Sequence, residues 1–123
     1  MKFLKTNTLK RTVACRVPHP ENLDEFVDVK FVAELRLISQ AAVEALVKKV
    51  DEATGDEKDK STQAFFDEVV IAVSEIDDET GAVKPASEES KALVREHPIA
   101  CQAAAFEVFK AISEGVSRKN SKR

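Results

Sequence analysis

Tryptophan and tyrosine are missing from this chain, methionine occurs once, and only two cysteines and three glycines are present. Each shortage excludes something. Without Trp or Tyr, and with no run in which aromatic and basic residues interleave, there is no signature of a nucleic-acid-binding surface. Three scattered glycines make neither a phosphate cradle nor a nucleophile elbow, which need glycine at close, fixed spacing. Cys15 and Cys101 lie far apart and form no ligand or redox motif, so in a reducing compartment they read as small buried hydrophobes. No stretch reaches the roughly 18 consecutive apolar residues of a membrane span. The opening MKFLKTNTLKRTVA has lysines but lacks the apolar run of roughly 7 to 15 residues that a secretion signal requires. The expectation is a protein that remains in the cytoplasm where it is made, with neither a membrane nor nucleic acid as partner.

What is present suits one globular domain. The chain has 123 residues, 43% hydrophobic and 33% charged, with a formal net charge of -3. A domain of this size hides somewhat over ~60% of its unfolded surface. The modest net charge conceals an asymmetry: Lys2, Lys5, Lys10 and Arg11 make the start basic, and Arg118, Lys119, Lys122 and Arg123 the end. These ends read as solubilising segments, 1–11 and a disordered tail 114–123, around a single domain at 12–113.

Hydrophobic rhythm then divides the domain. In DVKFVAELRL the odd positions Val29, Phe31, Ala33, Leu35 and Leu37 are apolar, and Asp28, Lys30, Glu34 and Arg36 alternate with them. Period two predicts a strand with one wet face. Val13, Cys15 and Val17 repeat the pattern, so an antiparallel hairpin closes across PHPENLDE, where two prolines rule out central-strand pairing. After Ser39, as N-cap, Ala42, Val43, Leu46, Val47 and Val50 recur at helical spacing and predict a helix over about 40–50. DEATGDEKDKST is polar and aperiodic and reads as a mobile connection. Phe65, Phe66, Val69, Val70, Val73 and Ile76 trace the stripe of a second helix. Gly81 and Pro85 end it, and Ser87 caps a third helix running to about Glu96, with Glu88 and Glu89 in its first turn. Pro98 opens a fourth, whose expected core face is Ile99, Ala103, Phe106, Phe109, Ile112 and Val116, with Gly115 as its stop. The predicted class is α+β: an N-terminal antiparallel β-hairpin followed by about four α-helices, mostly helical.

No residue set predicts catalysis, a cofactor or a metal. His19 and His97 both sit beside prolines in connecting segments, with no nucleophile in evident reach. The spacing of His97 and Cys101 suits two ligands on one helical face, but Pro98 places His97 outside the helix and no second pair lies near. Asp77, Asp78 and Glu79 beside Gly81 lack the 12-residue ligand spacing of a calcium loop. One feature points towards binding: Phe26, Val32 and Ile38 interrupt the charges on the wet face of the long strand, giving the hairpin an apolar trace on both sides. Those three residues are the candidate partner-binding set.

The order of elements also carries a resemblance. VKFVAELRLISQAAVEALVKK takes a strand directly into a helix, and after a polar gap comes FFDEVVIAVSEIDDETGAVKPASEESKALVREHPIACQAAAFEVFKAI. Over about residues 12–113 this resembles the tail assembly chaperones of long-tailed bacteriophages, including the acidic-glycine turn DDETG and the V-x-P-x-S segment after it. The tryptophan such proteins often carry near the end of the second helix is replaced by Val73 and Ser74. The resemblance implies a non-enzymatic protein of the bacterial host's cytoplasm that binds the tape-measure protein, keeps it soluble and recruits tail-tube subunits around it, with self-association as one way to enlarge its surface. Two other classes stay open: a tail-completion or connector protein of the virion, and a small regulator contacting DNA through its basic ends.

Overall fold

The computed structural model describes residues 8–77 and 79–114 in full and the backbone of the last helix on to Ser121. Lys2, Lys5, Asp78, Lys122, Arg123 and the side chains of Val116, Arg118 and Lys119 lie outside the described residues. The class is α+β, with three antiparallel strands and four helices among the described residues.

Strands β1 (Thr8–Pro18) and β2 (Phe26–Arg36) form the expected hairpin, with Thr8 opposite Arg36 and Pro18 opposite Phe26. β1 begins at Thr8, so residues 8–11 belong to the sheet rather than to a separate basic segment. Alternation sets the faces: Val13, Phe31, Ala33 and Leu35 are buried while Thr12, Lys30 and Arg36 are exposed. At the tip the His19 N–H donates to the Glu25 carbonyl at 2.9 Å, and His19 Nδ1 accepts from the N–H groups of Glu21 and Asn22. Only Leu37, Ile38 and Ser39 separate β2 from helix α1 (Gln40–Glu52), and Ser39 Oγ caps it by accepting from the Ala42 N–H at 3.1 Å.

Two elements differ from the sequence expectation. The polar stretch after α1 is helical: Gly55, at φ 58°, reverses the chain and helix α2 (Asp56–Val69) begins at once. Asp56, Glu57 and Asp59 face the positive end of its dipole, which favours a helix without any apolar rhythm. The second difference is that the expected long helix stops at Val69 and continues as strand β3 (Val70–Glu75), paired antiparallel with β2. The register places Val73 against Ala33 and Val70 against Leu35, with a bulge that leaves Ile71 as the extra residue. Both buried valines therefore reach the core from positions three apart, a spacing that mimics a helix.

Beyond β3, Ile76 bridges Val83 and the chain returns along the β3 edge, where Lys84 and Ser87 donate backbone bonds to Glu75 and Val73. Ser87 Oγ accepts from the Ser90 N–H and starts helix α3 (Glu88–Glu96) as expected. Helix α4 (Pro98–Ser121) has proline in its first position but runs through Gly115, so neither the expected stop nor a disordered tail from 114 is found before Ser121. Its core face is also rotated from the expected one. Ala100, Cys101, Ala104, Ala105 and Val108 are buried, Ala103, Phe106 and Ile112 flank them, and Ile99 and Phe109 are exposed. Small side chains allow α4 to approach the sheet closely, and the bulky ones fill the margins. Phe106 does so against Phe65, with ring centroids 5.4 Å apart and tilted by 49°. α4 packs on β1, α3 on β3, α2 on α4, and α1 outside against α2 and α4.

Candidate functional site

The site begins with unequal strand lengths. β1 and β2 pair out to Pro18 and Phe26, but β3 pairs with β2 only from Leu35 to Phe31. The hairpin therefore overhangs the third strand along Phe26–Lys30, a span of about 17 Å at the ~3.4 Å rise of an antiparallel strand. Under the overhang, a groove of about 350 Å³ opens between the hairpin and α3. That volume is at the lower end of the range for binding pockets, about 300–1,000 Å³.

Val17, Val27 and Val29 form one wall of the groove, because alternation turns them to the helical side of a sheet that no helix reaches at this end. Leu93, Val94 and His97, from the last turn of α3 and its cap, form the other, and Phe31 and Ala100 close the floor. Leu93 is 60% exposed and Val27 38%. Nearer the tip two more apolar side chains are exposed, Phe26 at 62% and Leu23 at 98%. Several exposed apolar side chains gathered at one end of a hairpin are a mark of an interaction surface.

Several polar groups of the groove have internal partners. Ser87 Oγ donates to Ser90 Oγ, which donates to Glu75 Oε2 at 2.9 Å, tying the start of α3 to the end of β3. Asp28 pairs with Arg16 at 3.2 Å on the exposed face of the hairpin. His97 Nδ1 accepts from the Ala100 N–H at 3.4 Å, while Cys101 turns the other way, its Sγ 3.9 Å from the Thr62 carbonyl. The two do not converge on a ligand position, and burial pushes the Cys101 thiol up to about 12. Burial also raises the Cys15 thiol. At the acidic turn, the Thr80 and Glu79 N–H groups both donate to Asp77 Oδ1 and hold that carboxyl below the usual carboxylate range. Among the described residues no group of three or more His, Cys, Asp or Glu side chains is placed to hold a metal ion, and no helix is long and apolar enough to cross a membrane.

The three residues singled out from the sequence do not form one patch. Phe26 stands at the tip, where β2 begins. Val32 takes the same open face of the sheet by alternation but lies six residues further along, between Thr12 and Ser74, half-buried by its neighbours. Ile38 stands beyond the end of β2 and packs against the core, because the chain has already turned towards α1. Among the described residues no helix folds over the outer face, where Lys10, Thr12, Ala14 and Lys30 are exposed. Leu93 and Val27 were missed because neither breaks the pattern of its own element. The signal for them is tertiary: a strand that runs on past its neighbour.

No protein-family model, curated protein or solved structure matches the chain.

Proposed function

We propose that this chain is a non-enzymatic tail assembly chaperone of a long-tailed bacteriophage, which grips an apolar segment of the tape-measure protein in the groove between hairpin and α3 and brings tail-tube subunits to it. The observation that carries this reading is the apolar groove with Val27 and Leu93 exposed on its walls, together with Phe26 and Leu23 exposed at the tip of the same hairpin. A soluble monomer normally hides such a surface, and a protein that shields an aggregation-prone partner needs one. The element order supports the same reading, since strand and first helix are joined by three residues and hold a fixed relation. The strand β3, in place of the end of a longer second helix, changes how the family pattern is realised here but supplies the short edge that creates the groove.

The test is co-expression with a tape-measure protein of a long-tailed bacteriophage, followed by co-purification and a pelleting assay. The wild-type chain keeps the partner soluble and purifies with it. Leu93→Asp and Val27→Asp, both on exposed side chains, reduce capture at least tenfold with an unchanged thermal transition. Capture that survives both and fails with Val32→Asp would move the site to the outer sheet face. Recovery of the chain in purified particles would instead favour a structural component of the virion.

A further inference from the structure

The sheet has three places where a strand could be added, and they are not treated alike. The outer edge of β1 carries Lys10, Arg11 and Arg16 and ends in Pro18, the features that discourage pairing. The outer edge of β3 is covered by the returning chain, through the bonds from Lys84 to Glu75 and from Ser87 to Val73. The third is the edge of β2 along Phe26–Lys30, on the side away from β1. β3 stops opposite Phe31, and the chain then swings away from β2, with Ile76 bridged to Val83 and the Asp77 N–H bonded to the Ala82 carbonyl. Among the described residues no strand lies beside this stretch. It contains no proline and presents Val27 and Val29 inward.

The groove occupies this gap. Asp28, Val29 and Lys30 border it on the strand side and Glu75 and Ile76 on the other, with Leu93 below. We infer that the groove takes an extended polypeptide segment, which adds to the free edge of β2 in line with β3, an inference that rests on reading the groove as a polypeptide-binding site. In an antiparallel ladder alternate residues direct both N–H and C=O to a given side, so the five-residue edge offers two or three such residues. Main-chain bonds to them give affinity without regard to sequence, and the pocket beneath selects the alternate side chains. Those pointing inward meet Val27, Val29 and Leu93 and are apolar. Those pointing outward lie beside Asp28 and Lys30, so a basic residue next to the first and an acidic one next to the second complete the match. The occupant is therefore a partner strand with alternating apolar residues and mixed charge, rather than an amphipathic helix laid across the groove.

The experiment uses the 15N-labelled full chain and three synthetic probes at millimolar concentration. The first is a peptide of about nine residues alternating valine with lysine, glutamate and threonine. The second is the same peptide N-methylated on alternate residues, prepared in both registers so that either edge is blocked. The third is a leucine–lysine amphipathic helix of about 18 residues. The expected result is that the first peptide shifts the amide signals of residues 26–30 and slows exchange of the outward amides at least tenfold. Methylation in one register weakens binding at least tenfold, and methylation in the other leaves it unchanged. If the helical peptide shifts Val27 and Leu93 while the alternating one does not, strand addition is overturned and the groove remains a polypeptide site. Equal binding of both methylated forms overturns it in the same way. If none of the probes perturbs the groove and Leu93→Asp also leaves partner capture intact, both the strand mode and the groove reading are overturned.

Discussion

Glu107 is a charged residue in the middle of the buried face of α4, and only 7% of it is exposed. Arg11 reaches it from the first half of β1, with Nη2 and Nε of the guanidinium 2.8 and 3.0 Å from Oε2, and also pairs with Glu114 one helical stretch further on. Hydrogen bonding to Glu114 and Glu107 outweighs burial and holds the Arg11 charge more firmly than in solvent. A carboxylate placed among alanines is costly unless such a partner is present, so the pair fixes where β1 lies on α4. Glu107→Ala leaves Arg11 with Glu114 alone, and a loss of about 1–3 kcal/mol is expected from chemical denaturation, with the arginine still half in water. Cys101 makes a simpler case. With its thiol near 12, the thiolate fraction at pH 8 is on the order of 10⁻⁴. Colorimetric thiol titration of the native protein should therefore show Cys15 reacting first and Cys101 only once denaturant opens the core. Two equally fast thiols would contradict the packing of α4 on α2.

At the scale of elements, β3 shows how a sequence pattern can be read faithfully and still mislead. Phe65, Phe66, Val69, Val70 and Val73 satisfy a helical stripe, and the first three are indeed helical. The β-branched run from Val69 to Ile71 weakens the helix, the open edge of β2 offers a ladder, and the bulge at Ile71 lets Val70 and Val73 share a face despite their spacing. Deleting Ile71 should leave Val70 and Val73 two residues apart, still opposite Leu35 and Ala33 and both facing the core in a regular ladder, so the variant should fold with a loss of no more than about 3 kcal/mol by chemical denaturation, and failure to fold would contradict the bulge. The hairpin, by contrast, was legible because period two has few imitators, and α1 and α3 because Ser39 and Ser87 cap them. The first turns of α2 were hidden by their polarity, and the core face of α4 by small residues whose burial depends on the element opposite. α2 and α3 are joined by a two-pronged contact, Arg95 Nε and Nη2 donating to Asp67 at 2.7 and 2.8 Å. The Arg95 hydrogen bonds hold the Asp67 carboxyl below its usual range. A depressed carboxylate contributes stability above its unfolded value of about 3.9 and loses it as pH falls through the lower folded value. Both side chains are more than a third exposed, so the contribution is only about 0.5–1 kcal/mol. Asp67→Asn should be less stable than wild type by that amount at pH 6, and the difference should vanish well below pH 4.

For the molecule as a whole, the hairpin is two structures joined end to end. Its proximal half, around Val13, Phe31, Ala33 and Leu35, is core, paired on both sides of β2 and packed under helices. Among the described residues its distal half is held by the β1–β2 ladder, the exposed Arg16–Asp28 pair, the bonds of the tip and the apolar wall of the groove. Stability is therefore uneven, and surfaces that bind are drawn from the weaker end. The two halves should separate in one experiment that combines native-state hydrogen exchange with denaturant unfolding. Amides of residues 14–17 and 26–30 should exchange by local opening that is insensitive to denaturant. Those of residues 31–35 should approach the exchange free energy of global unfolding. Phe31→Ala, which empties a core site, should cost about 3–5 kcal/mol. Leu23→Ser and Phe26→Ser should change stability by no more than about 0.5 kcal/mol, since both side chains stand in solvent. If the tip variants also destabilise by several kcal/mol, the exposed tip is packed against something in solution, and self-association through the hairpin would account for it. If they leave stability intact but abolish partner capture, then apolar residues with no part in holding the fold together are maintained there for what they touch in another chain.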